Sequence, residues 1–496
     1  MLVRKGCFLV ICVYFLFMNS LYSSAQDIAH RLHDAHEFYK EQTFTHRRFK
    51  HGDIVSLLNT LNGQIPLVVT QVGESLEKRS IHQVQAGTGP TNVLLWSQMH
   101  GDEATATMAM FDIFNFLKAE NDGFDEFRRS ILSQTSLYFV PMLNPDGAER
   151  FQRRTATDID MNRDALRLQT PEGALLKNLQ QTLKPLVGFN LHDQNPRYSV
   201  GNTRKQAVVS FLATAYDPER TINDVRQRSM QLIVGMNRVL QQFVPGQIGR
   251  FDDAFEPRAF GDNIQLWGTT LVLIESGGYK NDPEKMGIRR LNFVAILTAL
   301  HAIANGSYRQ ECTHEQVVAQ YQAIPENGPL LFDVLIRNAT TVRDGHKITV
   351  DIGINRQEVN TDSARSFRYK SIIDDLGDLS TFSGLEEIDA TGLTLTPAHL
   401  YADVLDSVEE LNTLNLATLR RDGITVFRVR RADKAFFPLQ PVHLLLDGEL
   451  PAHPLMAGQV PTFLLKADEQ ILYCFVNGFW QENPNIASQQ ENGVTE

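Results

Sequence analysis

The sequence predicts an α/β fold: a mixed, largely parallel sheet with helices on both faces, followed by a C-terminal β-rich domain. Three observations carry this. Short β-type runs alternate with helical periods between residues 66 and 305, the pattern of strands joined by crossover helices. Several runs are apolar throughout, as strands covered on both faces must be. After about residue 310 the helical periods give way to short β-type runs separated by turn residues.

Taken in order, the chain opens with Arg4 and Lys5, the apolar run CFLVICVYFLF (7–17) and the small residues 23–25. This reads as a cleavable signal peptide over residues 1–25. Its apolar run is short for a span of ~20 residues. The expectation is a secreted or periplasmic protein with no membrane span after signal removal. An amphipathic helix covers 30–42, and strands are read at 66–72, 80–86, 92–98, 135–142, 186–192, 207–213 and 270–276. Helices are read near 104–118, 222–243 and 284–305, completing a domain of residues 26–310. A last helix near 316–324 leads into the β-rich accessory domain, 325–484, and a polar tail, 485–496. Two of the four cysteines lie in the signal, which leaves Cys312 and Cys474; sequence alone does not decide whether they pair.

The chain has 496 residues, of which 43% are hydrophobic, enough for more than one core. Its net charge of −11 repels nucleic acid, and no basic stripe interleaved with aromatics offsets that field.

The chemistry concentrates at strand ends. His100 and Glu103 follow one apolar run, His192 ends a second and Glu275 ends a third. In open α/β sheets, sites lie beyond the carboxyl ends of strands, so these residues are expected on one edge. Two histidines and a glutamate suit zinc and leave one position open. A further carboxylate, Glu275, can then move a proton. The segment NPDGAERFQRRTATDIDMNRDA (144–165) adds the donors Arg153, Arg154, Asn162 and Arg163. A hydrolase of peptide ends needs an arginine for the oxyanion. It also needs an arginine with an amide for a carboxylate. Asp160 can orient a metal-binding histidine.

The motifs MHGDE, LNPDG, RR…DMNR, NLHD and IESGG, in that order over roughly residues 40–305, resemble the zinc carboxypeptidase family. The resemblance implies a carboxypeptidase A-like fold in an exported, bacterial-type member. It implies one Zn2+ held by His100, Glu103 and His192, with Glu275 as general base and acid. Asn162 and Arg163 would grip a substrate carboxylate, and Asp160 would support His100. The oxyanion arginine is Arg153 or Arg154; spacing favours Arg153 and leaves Arg154 among the substrate-binding donors. The expected substrate is a peptide or a peptidoglycan peptide. Relatives on this plan also include cell-wall amidases and N-acyl amino-acid deacylases, and an inactive peptide- or glycan-binding relative is the non-enzymatic alternative. One departure is clear: the segment 250–268 has no tyrosine, and Phe251, Phe255 and Arg258 are its candidates for lining a side-chain pocket. Segments 332–359 and 387–404 resemble the β-sandwich that flanks the barrel of amidohydrolases, but His399 stands alone there, so an accessory role is expected.

Overall fold

The computed structural model describes residues 27–309, 313–343, 345–432, 438–439, 441–453 and 455–482. The expected signal peptide, the polar tail and Cys312 lie outside the described residues. Cys474 is a buried free thiol. The chain divides into two compact units: Met1–Pro329 with Ser363–Arg365, and Leu330–Asp362 with Ser366–Glu496.

Among the described residues the first unit is built on ten strands: β1 Leu67–Glu74, β2 Ser80–Ala86, β3 Thr91–Ser97, β4 Thr135–Val140, β5 Val187–Asp193, β6 Ser199–Val200, β7 Val209–Leu212, β8 Ile248–Arg250, β9 Thr270–Ser276 and β10 Asn327–Gly328. Eight of them form one sheet in the order β1-β2-β4-β3-β5-β9-β7-β8, while β6 pairs with Asn327–Gly328. The centre, β4-β3-β5-β9, is parallel. Antiparallel pairs flank it at β1-β2, β2-β4 and β7-β9.

Ten helices complete the described part of this unit: α1 over 27–39, α2 His51–Leu61, α3 Thr105–Lys118, α4 Asp125–Gln134, α5 Pro145–Arg150, α6 Pro171–Leu183, α7 Asp224–Leu240, α8 Phe260–Leu266, α9 Met286–Asn305 and α10 His314–Gln322. Side chains alternate between two cores, as strand geometry requires. Leu95, Leu191 and Ile274 join Phe111 of α3 and Ile296 of α9 on one face. Leu94, Trp96 and Leu271 join Leu176 of α6 and Phe260 and Ile264 of α8 on the other. A one-residue slip would exchange the faces of every side chain on a strand, so burial on both sides fixes the register. The sheet is therefore mixed, largely parallel and covered by helices on both faces. Helix α9 is long and apolar enough to cross a membrane by composition alone, but Phe293, Val294, Ile296 and Leu297 are buried in the core.

One polar cluster ties three helices together. Asp112 of α3 is fully buried and accepts from Arg289 Nε of α9 at 2.7 Å and from Arg289 Nη2 at 2.5 Å. It also lies 2.8 Å from His36 Nε2 of α1 and accepts from the Glu41 backbone at 2.7 Å. Arg289 is itself fully buried.

The second unit is strand-rich. Its main sheet runs Ser366–Gly377, His346–Thr361, Leu331–Arg343, Thr394–Pro397, Phe463–Ala467, Gln470–Val476 and Phe479–Glu482, with Ser383–Asp389 also pairing to Leu331–Arg343. Val334, Ile336, Ile354, Ile373, Phe463 and Phe475 form its core. A three-stranded parallel sheet of His399–Leu405, Ile424–Val429 and His443–Leu446 stands beside it in the chain's topology. His399 Nδ1 lies 2.8 Å from the Asp422 carbonyl, an ordinary structural contact.

Removing the Asp112 carboxylate leaves a buried guanidinium without its counter-charge. Asp112→Ala is expected to cost about 3–5 kcal/mol of stability, read as a lowered midpoint in urea unfolding. An unchanged midpoint contradicts this account of the cluster.

Candidate metal centre

The register of three parallel strands builds the site. Ser97 pairs with Leu191, and His192 pairs directly with Glu275. The carboxyl ends of β3, β5 and β9 therefore open at one edge. After β3 the chain turns sharply. Gln98 adopts φ 48°, and its side chain donates to the Gly101 carbonyl at 3.0 Å. Gly101 is required by a close approach: a Cβ there would stand 2.0 Å from the Gly147 backbone. That contact seats the Asn-Pro-Asp-Gly turn against the loop bearing His100. Asn144 caps α5 by accepting from Gly147 N at 2.9 Å and donates to the Met99 carbonyl at 3.3 Å. Asp146 is buried and accepts from Ser75 and Arg79 at 2.7 and 2.6 Å.

His100, Glu103 and His192 converge. One ligand-type atom from each lies within 4.8 Å of the others, the single such His/Cys/Asp/Glu cluster among the described residues. His100 Nδ1 is 2.7 Å from Glu103 Oε1, and His192 Nδ1 is 2.6 Å from Glu103 Oε2. The Asp193 backbone donates to Glu103 Oε2 at 3.1 Å. All three side chains are buried. His100 turns its outer nitrogen to Asp160 Oδ1 at 3.2 Å, the arrangement that fixes ring orientation in metal sites. Two imidazole Nδ1 atoms and a carboxylate facing one point fit zinc by chemistry and by geometry.

Glu275, the last residue but one of β9 and beside His192, keeps a buried Oε2 with no partner among the described residues. Burial pushes its carboxyl well above the usual range, and the charge of Glu103 adds to this. Glu103 goes the other way. Burial alone would raise it, but the two histidines and their hydrogen bonds hold it well below. His100 is lowered by burial, then carried up to about 9 by Glu103 and Asp160. His192 has Glu103 but no second carboxylate, and burial keeps it below its ordinary value. Asp102 is raised by burial to about 6 and stands outside the triad.

The neighbouring arginines separate. Arg153 reaches the centre: Nη1 lies 3.1 Å from His100 Nδ1 and 3.3 Å from Glu103, while Nε and Nη2 bond Asp160 at 3.1 and 3.0 Å. Arg154 bonds the Asp158 carbonyl at 2.9 Å and stays outside the cluster. Asn162 accepts from the Phe260 backbone at 2.9 Å, which bolts it to the start of α8. Arg163 pairs with Glu256 at 3.4 Å. Arg258 grips the same carboxylate through Nε at 2.9 Å and Nη2 at 2.8 Å. Those bonds pull Glu256 down to about 2. Sequence reasoning passed over Glu256. It also missed Lys285, which bonds Asp193 at 3.0 Å and the Ser276 carbonyl at 2.9 Å and so braces the ends of β5 and β9. A lone acid or lysine in a loop carries no periodic signal.

Comparison with known proteins places these residues in context. Residues 54–189 match the family described as zinc carboxypeptidase, a segment that contains His100, Glu103, Arg153, Asn162 and Arg163. Carboxypeptidase 2 of Trichophyton tonsurans is 28% identical over 161 residues, 32% of this chain and 28% of that protein. The chain thus spans less than a third of the curated relative's length. Among solved structures, a metallo-carboxypeptidase from Burkholderia cenocepacia aligns over 52% of this chain and 70% of its own at 14% identity and a TM-score of 0.43. The carboxypeptidase A of Helicoverpa armigera covers 52% and 74% at 14% identity and a TM-score of 0.41. Over residues 54–189 this chain is thus similar to the zinc carboxypeptidase family.

Proposed function

We propose that the protein is an exported zinc metallocarboxypeptidase that hydrolyses the amide bond next to a free carboxylate. The observation that carries the reading is the convergence of both histidine Nδ1 atoms on Glu103, with Glu275 next to His192 in register. His100, Glu103 and His192 would hold the ion. When bound, zinc supplies Lewis acidity, lowering the pKa of an adjacent water and polarising a carbonyl. Glu275 takes a proton from the attacking water as its oxygen bonds the carbonyl carbon. The same carboxyl then gives that proton to the amide nitrogen as the C–N bond breaks, leaving a carboxylate and an amine. Arg153 faces the developing oxyanion with a guanidinium held by Asp160. Asp160 also fixes the His100 ring.

Arg163 and Asn162 supply the carboxylate grip. Asn162 is rigid because α8 occupies its carbonyl oxygen. Arg163 already holds an anion, Glu256, whose second partner is Arg258. A substrate carboxylate therefore exchanges with Glu256, which stays neutralised by Arg258. Export rests on the signal-type segment 1–25.

Glu275→Gln is expected to lower kcat by about 10²–10⁴-fold on peptides with a free C-terminus while zinc content stays at one equivalent. Equal turnover by mutant and wild type contradicts the mechanism. In the metal-free protein His100, raised to about 9, carries a proton below that pH, and ligation requires it to leave. Zinc uptake should release a proton at neutral pH and none well above pH 9, measured by calorimetry in buffers of differing ionisation enthalpy. Glu256→Gln should lower KM about threefold, the scale of a partly exposed ion pair, with kcat little changed and the gain shrinking as salt rises.

A further inference from the structure

The ladder between β5 and β9 stops one residue past the site, and a buried lysine takes over from it. β5 ends at Asp193 and β9 at Ser276, the last pair in their register. Each directly follows a residue of the site: Asp193 follows His192, and Ser276 follows Glu275. Lys285 Nζ donates to Asp193 Oδ2 at 3.0 Å and to the Ser276 carbonyl at 2.9 Å. One ammonium therefore spans the residue after a proposed zinc ligand and the residue after the proposed general base.

Every part of this bridge is held. The Lys285 side chain is 8% exposed and that of Asp193 7%. Lys285 takes the left-handed conformation, φ 55°, immediately before α9. Its N–H donates to the Asp282 carbonyl at 3.0 Å. The Asp282 carboxylate in turn accepts from the Met286 and Gly287 N–H groups of the first turn, at 2.7 and 2.8 Å. From α3, Thr105 Oγ1 donates to the same Asp193 oxygen at 2.6 Å. From α9, Asn292 Nδ2 donates to Ser276 Oγ at 2.8 Å. The Asp193 N–H then donates to Glu103 Oε2 at 3.1 Å, the oxygen that faces His192. Contacts run without a break from α9 through Lys285 and Asp193 to the carboxylate of the metal centre.

Stability alone does not account for the pair. Taking an ammonium and a carboxylate out of water costs about as much as their attraction returns, and apolar residues of similar volume often serve a core as well or better. What the ion pair adds, through its second bond to a carbonyl, is a fixed distance between two strand ends. A metal ligand and a base that acts beside the metal need such a distance, held to within about 0.5 Å.

We propose that Lys285 is a positioning residue: by tying Asp193 to Ser276 it fixes the separation of His192 and Glu275, and so sets both the affinity for zinc and the reach of the base. The inference rests on the metallocarboxypeptidase reading above.

The test compares the full chain with Lys285→Met and with the double variant Asp193→Asn, Lys285→Met. The double variant removes both charges together and leaves neither buried alone. Zinc affinity is read by competition with a chromophoric chelator, without substrate. Both variants are expected to bind zinc about 10–100-fold more weakly, the range for loss of a group that supports a metal ligand. At saturating zinc, kcat on a peptide with a free C-terminus should fall at least about tenfold with KM unchanged, because the bonds of Lys285 go to Asp193 and Ser276 and not to the Asn162–Arg163 grip. The thermal midpoint of the metal-free double variant should stay close to that of the unmodified protein. A folded double variant that keeps both its zinc affinity and its kcat overturns the proposal and leaves the pair a structural one. A rise in KM with kcat unchanged overturns it too. If zinc binding weakens as expected while the unmodified protein hydrolyses no peptide, the positioning of His192 stands and the proposed reaction is what fails.

Discussion

Everything at the functional edge is organised by one buried anion, the Glu103 carboxylate. Taken out of water alone, such a charge costs several kcal/mol and would neutralise itself. Here it stays ionised because His100, His192, the Asp193 backbone and Arg153 all converge on it. That requirement reaches backwards into the fold. His192 and the Asp193 N–H arrive only if β5 sits beside β3 in the observed register. Arg153 arrives only if α5 follows the turn seated on Gly101. The cluster thus asks for two strand ends and one helix exit in fixed relation, and the apolar sheet supplies the rigidity.

The same anion divides labour between two carboxylates. Glu103 is buried and Glu275 half-buried on one edge, yet their pKa values move in opposite directions. Glu103 faces cations and is held ionised. Glu275 faces Glu103, has an unpartnered oxygen and is held towards its neutral form. Two titratable groups pushed apart by their surroundings are the pattern of an assigned acid–base pair. One suits ligation, which needs a permanent anion, and the other suits proton transfer, which needs a carboxyl that can change state.

Much of the fold was legible in sequence because burial on both faces writes a continuous apolar run. β9 was read to the residue for that reason. The elements that escaped had no such run. α4 and α8 are short or polar, and β8 is three residues long. In the second unit, Ser366–Gly377 is largely exposed and carries Arg368, Lys370, Asp374 and Asp375, so its composition resembles a loop. At the site, the order of motifs brought the ligand-type residues to notice. It did not separate Arg153 from Arg154, because adjacent residues leave a helix in different directions. After α5 the chain passes through Phe151 in the left-handed region, φ 47°, and that single dihedral sends one arginine inward and its neighbour to Asp158. No composition rule encodes it.

Asn190 shows the opposite case, a residue visible in sequence whose surroundings needed coordinates. In 186–192 it is the one polar side chain before His192 in an apolar strand, and such a residue is usually satisfied by a neighbour. Here the neighbours are Trp96, Leu273 and the bare backbone of Gly261. Trp96 Nε1 is itself unpartnered, so it does not satisfy the amide. A core could have closed over this position with leucine at lower cost. Keeping an amide there sacrifices stability at one point of a sheet that is otherwise sealed on that face, directly behind the metal centre.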